Sequence, residues 1–159
     1  MRHLCSLVIV AWGVSACSAG VDKATAEGGV VQFRSMLAAQ RYHDIYAGAA
    51  QEFRQSATEP SAVRFLQAIH DRLGAVRASQ EQGWQVNFTT GGTLVSLKYT
   101  TQFTSGSGTE NFVYRMNGTA AQLMGYHINS LDLMAPAAAP LAPAPAASAP
   151  AKPGQIPGN

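Results

Sequence analysis

The 159-residue chain has two thiols, Cys5 and Cys17, and both fall in its first seventeen residues. Only Cys17 sits in a spacing that suggests a chemistry. It closes the run Val14-Ser15-Ala16-Cys17, an aliphatic residue and two small ones before a nucleophilic sulfur. Arg2 supplies a positive start, and Leu4 to Val14 form an apolar run of about eleven residues broken only by Ser6 and Gly13. Such a run is too short to cross a ~30 Å hydrocarbon core as a helix, which takes roughly twenty residues. It has the length of a secretory signal, except that the small residues run directly into a cysteine.

This arrangement resembles the lipobox of bacterial lipoproteins. The resemblance implies a diacylglycerol on the Cys17 sulfur, cleavage just before it, and often acylation of the new amine. One acyl chain holds a membrane only marginally, whereas two or three anchor stably. Ser18 follows, where an Asp tends to retain such proteins at the inner membrane of Gram-negative bacteria. The expected location is therefore the outer membrane, facing the periplasm. An ordinary signal peptide with an incidental cysteine is the alternative reading.

Beyond Cys17 the means for catalysis are sparse. The histidines there are His43, His70 and His127. None has a ligand-type partner at i, i+4 and no cysteine accompanies them, so neither a metal site nor a cofactor is expected. His43-Asp44 and His70-Asp71 are sequence neighbours, which do not face each other on a helix. No G-x-S-x-G elbow occurs. Ser105-Gly106-Ser107-Gly108-Thr109 lacks the lysine of a phosphate loop and reads as a hairpin loop. With the signal removed, ten basic and nine acidic residues remain, a nearly neutral balance. That argues against nucleic acid as a partner and against electrostatic membrane binding.

The elements that must position any site follow from periodicity. Asp22 can cap a first helix in which Val30, Phe33 and Leu37 recur on one face. Gly28 and Gly29 inside it permit a close helix contact or mark a late start. After a break near Gln40-Arg41, a second short helix carries Tyr42, Ile45, Tyr46 and Ala49, with Phe53 beyond. A third has Thr58 as N-cap, Pro60 in its first turn, and Ala62, Phe65, Leu66, Ile69 and Leu73 on one face before Gly74. The period then falls to two. Trp84, Val86 and Phe88 alternate after a bulge or bend expected at Gly83. A turn at Gly91-Gly92 follows, then Val95 to Phe103, then Phe112, Tyr114 and Met116.

Asn117-Gly118 reads as a two-residue hairpin turn that pairs Met116 with Thr119, Tyr114 with Ala121 and Phe112 with Leu123. In the last strand, about Ala120 to Asn129, strict alternation puts His127 on the face of Leu123. A bulge at Gly125 puts Tyr126 and Ile128 there instead, and the sequence leaves both open. Seven of the eight prolines lie between Pro136 and Pro157, mostly amid alanine, so a disordered tail is expected. The expected organisation is a signal at 1–16, a lipidated anchor and short linker at 17–21, an α+β domain at 22–131 and the Pro/Ala tail at 132–159.

Three helices packed on a curved four-stranded antiparallel sheet resemble the cone-shaped fold of nuclear transport factor two and ketosteroid isomerase. Within it the chain is similar to a family of uncharacterised bacterial exported domains. The residues that carry this are Leu73-Gly74 with Val76, the strand around Tyr99, Glu110-x-Phe112 and Gly125-Tyr126-x-Ile128. A tryptophan that often opens the family's last strand is missing, Ala121, Gln122 and Leu123 standing there. Enzymes of that fold place a carboxylate, His or Tyr in a pocket for proton transfer. By that resemblance the candidate pocket residues are Tyr42, Asp44, Tyr46 and His127. The bland reading is two core tyrosines, a helix-capping Asp44 and a strand-face His127. The sequence expectation is thus a non-catalytic lipoprotein that binds an envelope protein or an apolar small ligand. The alternative is an isomerase- or dehydratase-like enzyme.

Overall fold

A computed structural model describes residues 15–134. The expected signal up to Val14 and the chain from Ala135 lie outside the described residues, as does the side chain of Cys17. The fold is α+β. Four helices precede the sheet, α1 (Ser15–Ala38), α2 (Tyr42–Gly48), α3 (Gln51–Ser56) and α4 (Glu59–Leu73). The strands are β1 (Val76–Thr89), β2 (Gly92–Phe103), β3 (Ser107–Asn117) and β4 (Ala120–Asn129), and a short α5 (Leu131–Met134) follows. They form one antiparallel sheet in the order β1-β2-β3-β4.

Helix α1 is longer than its sequence signals. It starts at Ser15, so residues 17–21, expected as linker, are helical, and Asp22 lies inside the helix instead of capping it. Ala26, Val30, Phe33 and Leu37 form its buried stripe. The break expected near Gln40-Arg41 is present, with Gln40 at φ 56°. The second expected helix is two helices, because Ala49 and Ala50 are both extended, with ψ 159° and 158°. The clearest sequence assignment holds in α4. Thr58 takes the N-cap position, Pro60 the first turn, and Gly74 ends the helix at φ 75°. The Thr58 hydroxyl goes to Ser61 Oγ at 3.0 Å and makes no cap bond to backbone. Ala62, Leu66, Ile69 and Leu73 are buried, but Phe65 is 43 % exposed, its ring 6.2 Å from that of Tyr126.

In the sheet, β2 and β3 turn Val95, Leu97, Phe103, Phe112 and Tyr114 into the core. Strand β1 has the irregularity expected at Gly83, between Glu81 and Gly83. One expectation for β4 needs correction. The hairpin turn is Gly118-Thr119, not Asn117-Gly118. Asn117 pairs with Ala120, Met116 with Ala121 and Tyr114 with Leu123. Gly118 at φ 61° serves as the first central residue, which is where a type II′ turn requires positive φ.

Of the two registers left open for the rest of β4, the structure has the bulged one. Tyr114 pairs with Leu123 but Val113 pairs with Gly125, so Met124 is an extra residue. That bulge brings Tyr126 opposite Phe112 and Ile128 opposite Glu110, on the core face, and leaves His127 exposed. The domain also extends past its expected end at 131. Ser107 N–H donates to the Asp132 carboxylate at 3.0 Å, and Arg72 donates to the Leu133 carbonyl at 2.6 Å.

Candidate functional site

The polar centre of the molecule is Glu110. It sits in β3 at a position in step with Phe112 and Tyr114, so alternation turns its carboxylate into the core, where it is fully buried. An acid there requires partners, since an unpaired buried charge is very costly. Each is supplied by a different element. Arg34 from α1 reaches Oε2 with Nη2 at 2.5 Å. Thr101 Oγ from β2 donates to the same oxygen at 2.5 Å. The Tyr126 hydroxyl from β4 donates to Oε1 at 2.9 Å. Arg34 Nη2 also donates to Ser79 Oγ of β1 at 2.9 Å and to Thr101 Oγ at 3.1 Å. One carboxylate thus connects α1 with β2, β3 and β4, and through Arg34 with β1.

The walls of this cluster are aromatic. The Arg34 guanidinium lies 4.9 Å from the Tyr99 ring centroid and 5.7 Å from that of Phe112. Phe33 packs edge-on to Phe112 at 5.3 Å and against Tyr126 at 4.7 Å. Burial pushes the Tyr126 hydroxyl well above its ordinary pKa, and the Glu110 carboxylate beside it adds to the shift. Tyr126 is therefore a neutral donor. Burial likewise raises Tyr99, with Glu81 and Glu27 adding to it, and raises Tyr114 further still. The Tyr114 hydroxyl is buried without a hydrogen-bond partner.

Tyr114 reaches a cleft of about 100 Å³ between α1, α2 and β4, lined also by Gly29, Phe33, Asp44, Ile45 and Leu123. Pockets for drug-sized ligands run from about 300 to 1,000 Å³, so this one has room for a few waters or a small polar group. A second, mainly apolar groove of about 320 Å³ runs between α1 and the start of β1, past Val31, Arg34, Leu37, His70 and Val76. A general base must reach a substrate proton. Glu110 has both oxygens engaged by the chain and no exposed surface, so this arrangement fastens helix to sheet and offers no vacant base.

The four sequence-predicted pocket residues do not converge. Tyr42 is buried on α2, its ring 6.4 Å from that of His70, and desolvation raises its hydroxyl, with Asp71 adding to the shift. Asp44 lines the smaller cleft, but it is exposed and paired with Arg41 Nε at 2.6 Å, so it is not the expected helix cap. Tyr46 donates from its hydroxyl to the carbonyls of Arg54 and Ala57 at 3.2 and 3.1 Å, which ties α2 to the end of α3. His127 lies on the outer face of β4.

Sequence reasoning missed Arg34, Ser79, Thr101 and the role of Glu110. The available signal was an acid and a threonine at inward positions of two otherwise apolar alternations. Among the described residues no three His, Cys, Asp or Glu side chains gather as metal ligands, and no helix is long and apolar enough to cross a membrane. No family model matches the chain, and no curated protein matches it either.

Proposed function

We propose that this is a lipid-anchored lipoprotein of the bacterial envelope, facing the periplasm from the outer membrane, whose α+β domain is a non-catalytic binding module. The anchor reading is supported by the run Val14-Ser15-Ala16-Cys17 behind an eleven-residue apolar stretch. It is strengthened because no other cysteine follows Cys17 to claim it for a disulfide. The observation that carries the non-catalytic reading is Glu110. It is the one fully buried carboxylate among the described residues, and Arg34, Thr101 and Tyr126 occupy it.

The cone-shaped variant of the α+β fold belongs to the same proposal. Its support is that two of the motifs behind the resemblance meet across β3 and β4, Phe112 opposite Tyr126 and Glu110 opposite Ile128. An envelope protein is the partner we favour, because the cleft beside Tyr114 is small. An apolar small ligand is the second reading, favoured by the groove of about 320 Å³ along α1.

The deciding experiment replaces Cys17. Cys17→Ser should leave an unprocessed precursor or release the protein from membranes, followed by fractionation and by the mass of the mature N-terminus. A variant that matures and fractionates like the wild type would refute the anchor.

A further inference from the structure

We propose that the Trp84–Phe88 stretch of β1 is a second membrane contact, seated in the interfacial layer of the bilayer that holds Cys17. The inference rests on the lipoprotein reading above and adds to it a face of the folded domain.

The first observation is an uncovered piece of core face. Trp84 pairs with Leu97 and Val86 with Val95, and both partners are fully buried. Directly opposed residues of an antiparallel pair project to the same side. Trp84, Val86 and Phe88 therefore point to the side of the sheet that the helices cover. Yet Trp84 is 49 % and Phe88 65 % exposed. Large aromatics at core-face positions without cover mark an interaction surface.

The second observation says what covers them. Helix α1 and strand β1 run in opposite senses where they touch. Arg34 meets Ser79, whereas Lys23 meets Glu81 at 3.0 Å and lies 5.8 Å from the Trp84 ring centroid. Going back along α1 toward Cys17 is therefore going forward along β1 toward Phe88 and the hairpin tip. Cys17 belongs to the same unbroken helix as Lys23, six residues earlier, about 9 Å of helical rise. Val21, 66 % exposed, lies on the turn between. The anchored end of the helix and the bare aromatics thus share one end of the molecule.

The chemistry fits a bilayer interface. Tryptophan combines a large apolar ring with an N–H that needs a partner, and it concentrates where hydrocarbon meets headgroups. Lys23, the cation over the Trp84 ring, is already paired with Glu27 and Glu81, so the contact is apolar and salt should not release it. A lipid on Cys17 keeps the face at high effective concentration, so a weak contact is sufficient.

Trp12 and Trp84 are the two tryptophans, so full-length protein carrying Trp12→Phe reports on Trp84 alone, processed or not. It would be reconstituted into phosphatidylethanolamine–phosphatidylglycerol vesicles, with intact mass giving its lipidation. The expected result is a blue-shifted Trp84 emission, quenching by brominated acyl chains, and a several-fold loss of acrylamide quenching relative to Cys17→Ser in buffer. Phe88→Ser should restore part of the acrylamide access, and high salt should not. Lipidated protein whose Trp84 stays open to acrylamide overturns this contact and leaves the anchor standing. Shielding that grows with protein density, without quenching by brominated lipid, assigns the face to a second copy and also overturns it. A mass without lipid removes the anchor, and this inference with it.

Discussion

Arg34 and Glu110 meet at 2.5 Å between α1 and β3, with the arginine side chain 18 % exposed and the glutamate fully enclosed. Removing one partner of a buried pair leaves the other charge uncompensated, which costs about 3 to 5 kcal/mol. Arg34→Met strands the enclosed carboxylate and should fall in that range, while Glu110→Gln strands a partly solvated guanidinium and should cost about 3 kcal/mol. The double variant should lose less than the sum of the singles, by about 1 to 3 kcal/mol. Urea unfolding of the four proteins measures this. Additive losses would show that the two side chains do not act as a pair.

Tyr126 and Tyr114 should respond oppositely to loss of a hydroxyl. Tyr126→Phe removes a donor to the buried Glu110 carboxylate and should cost about 1 to 3 kcal/mol. Tyr114→Phe removes a hydroxyl that has no partner, so it should be neutral or stabilising. Both phenols have pKa values raised by burial, as do Tyr42 and Tyr99. A raised folded pKa means the stability it contributes is complete below the unfolded value of about 10 and is lost as pH climbs toward the folded one. Stability should therefore fall above about pH 10, and tyrosinate absorbance should rise together with unfolding. Free titration of Tyr42, Tyr99, Tyr114 and Tyr126 near pH 10 in the folded protein would contradict the burial.

Gly28 and Gly29 separate helix propensity from packing. A Cβ at Gly28 meets nothing within 4 Å, so Gly28→Ala should stabilise α1 by about 1 kcal/mol. A Cβ at Gly29 would lie 2.8 Å from Tyr114 Cε1 and 3.0 Å from Cζ. Gly29→Ala should then cost about 1 to 3 kcal/mol through overpacking, more than the propensity gain returns. Thermal melting of the two variants should move in opposite directions. Equal shifts would mean that α1 does not lie against the Tyr114 ring.

What was legible in the sequence was what local periodicity writes. Ala62, Leu66, Ile69 and Leu73 define a helix face, and Val95, Leu97 and Phe103 a strand face, without reference to anything distant. The pairing of Arg34 with Glu110 is not of that kind. It joins residues 76 positions apart, and whether Glu110 faces inward depends on β3 having its true register. Asn117 tolerates positive φ as Gly118 does, so composition alone points to the wrong pair for the hairpin turn. The split of α2 from α3 is set at two alanines, residues with no turn signature. Ala50 N–H leaves the helical ladder to donate to Leu123 O at 2.8 Å, a tertiary bond that no local pattern announces.

The extra residue at Met124 does more than bend an edge strand. Were Met124 paired with Val113 instead of bulged out, continued pairing from Tyr114 and Leu123 would set His127, not Ile128, opposite Glu110. Imidazole beside a buried carboxylate is the raw material of an acid–base pair. The chain holds both halves of that pair in adjoining strands, and a shift of one residue in the ladder keeps them on opposite sides of the sheet. In this fold, whether residue 124 is paired or bulged out decides chemistry as much as shape.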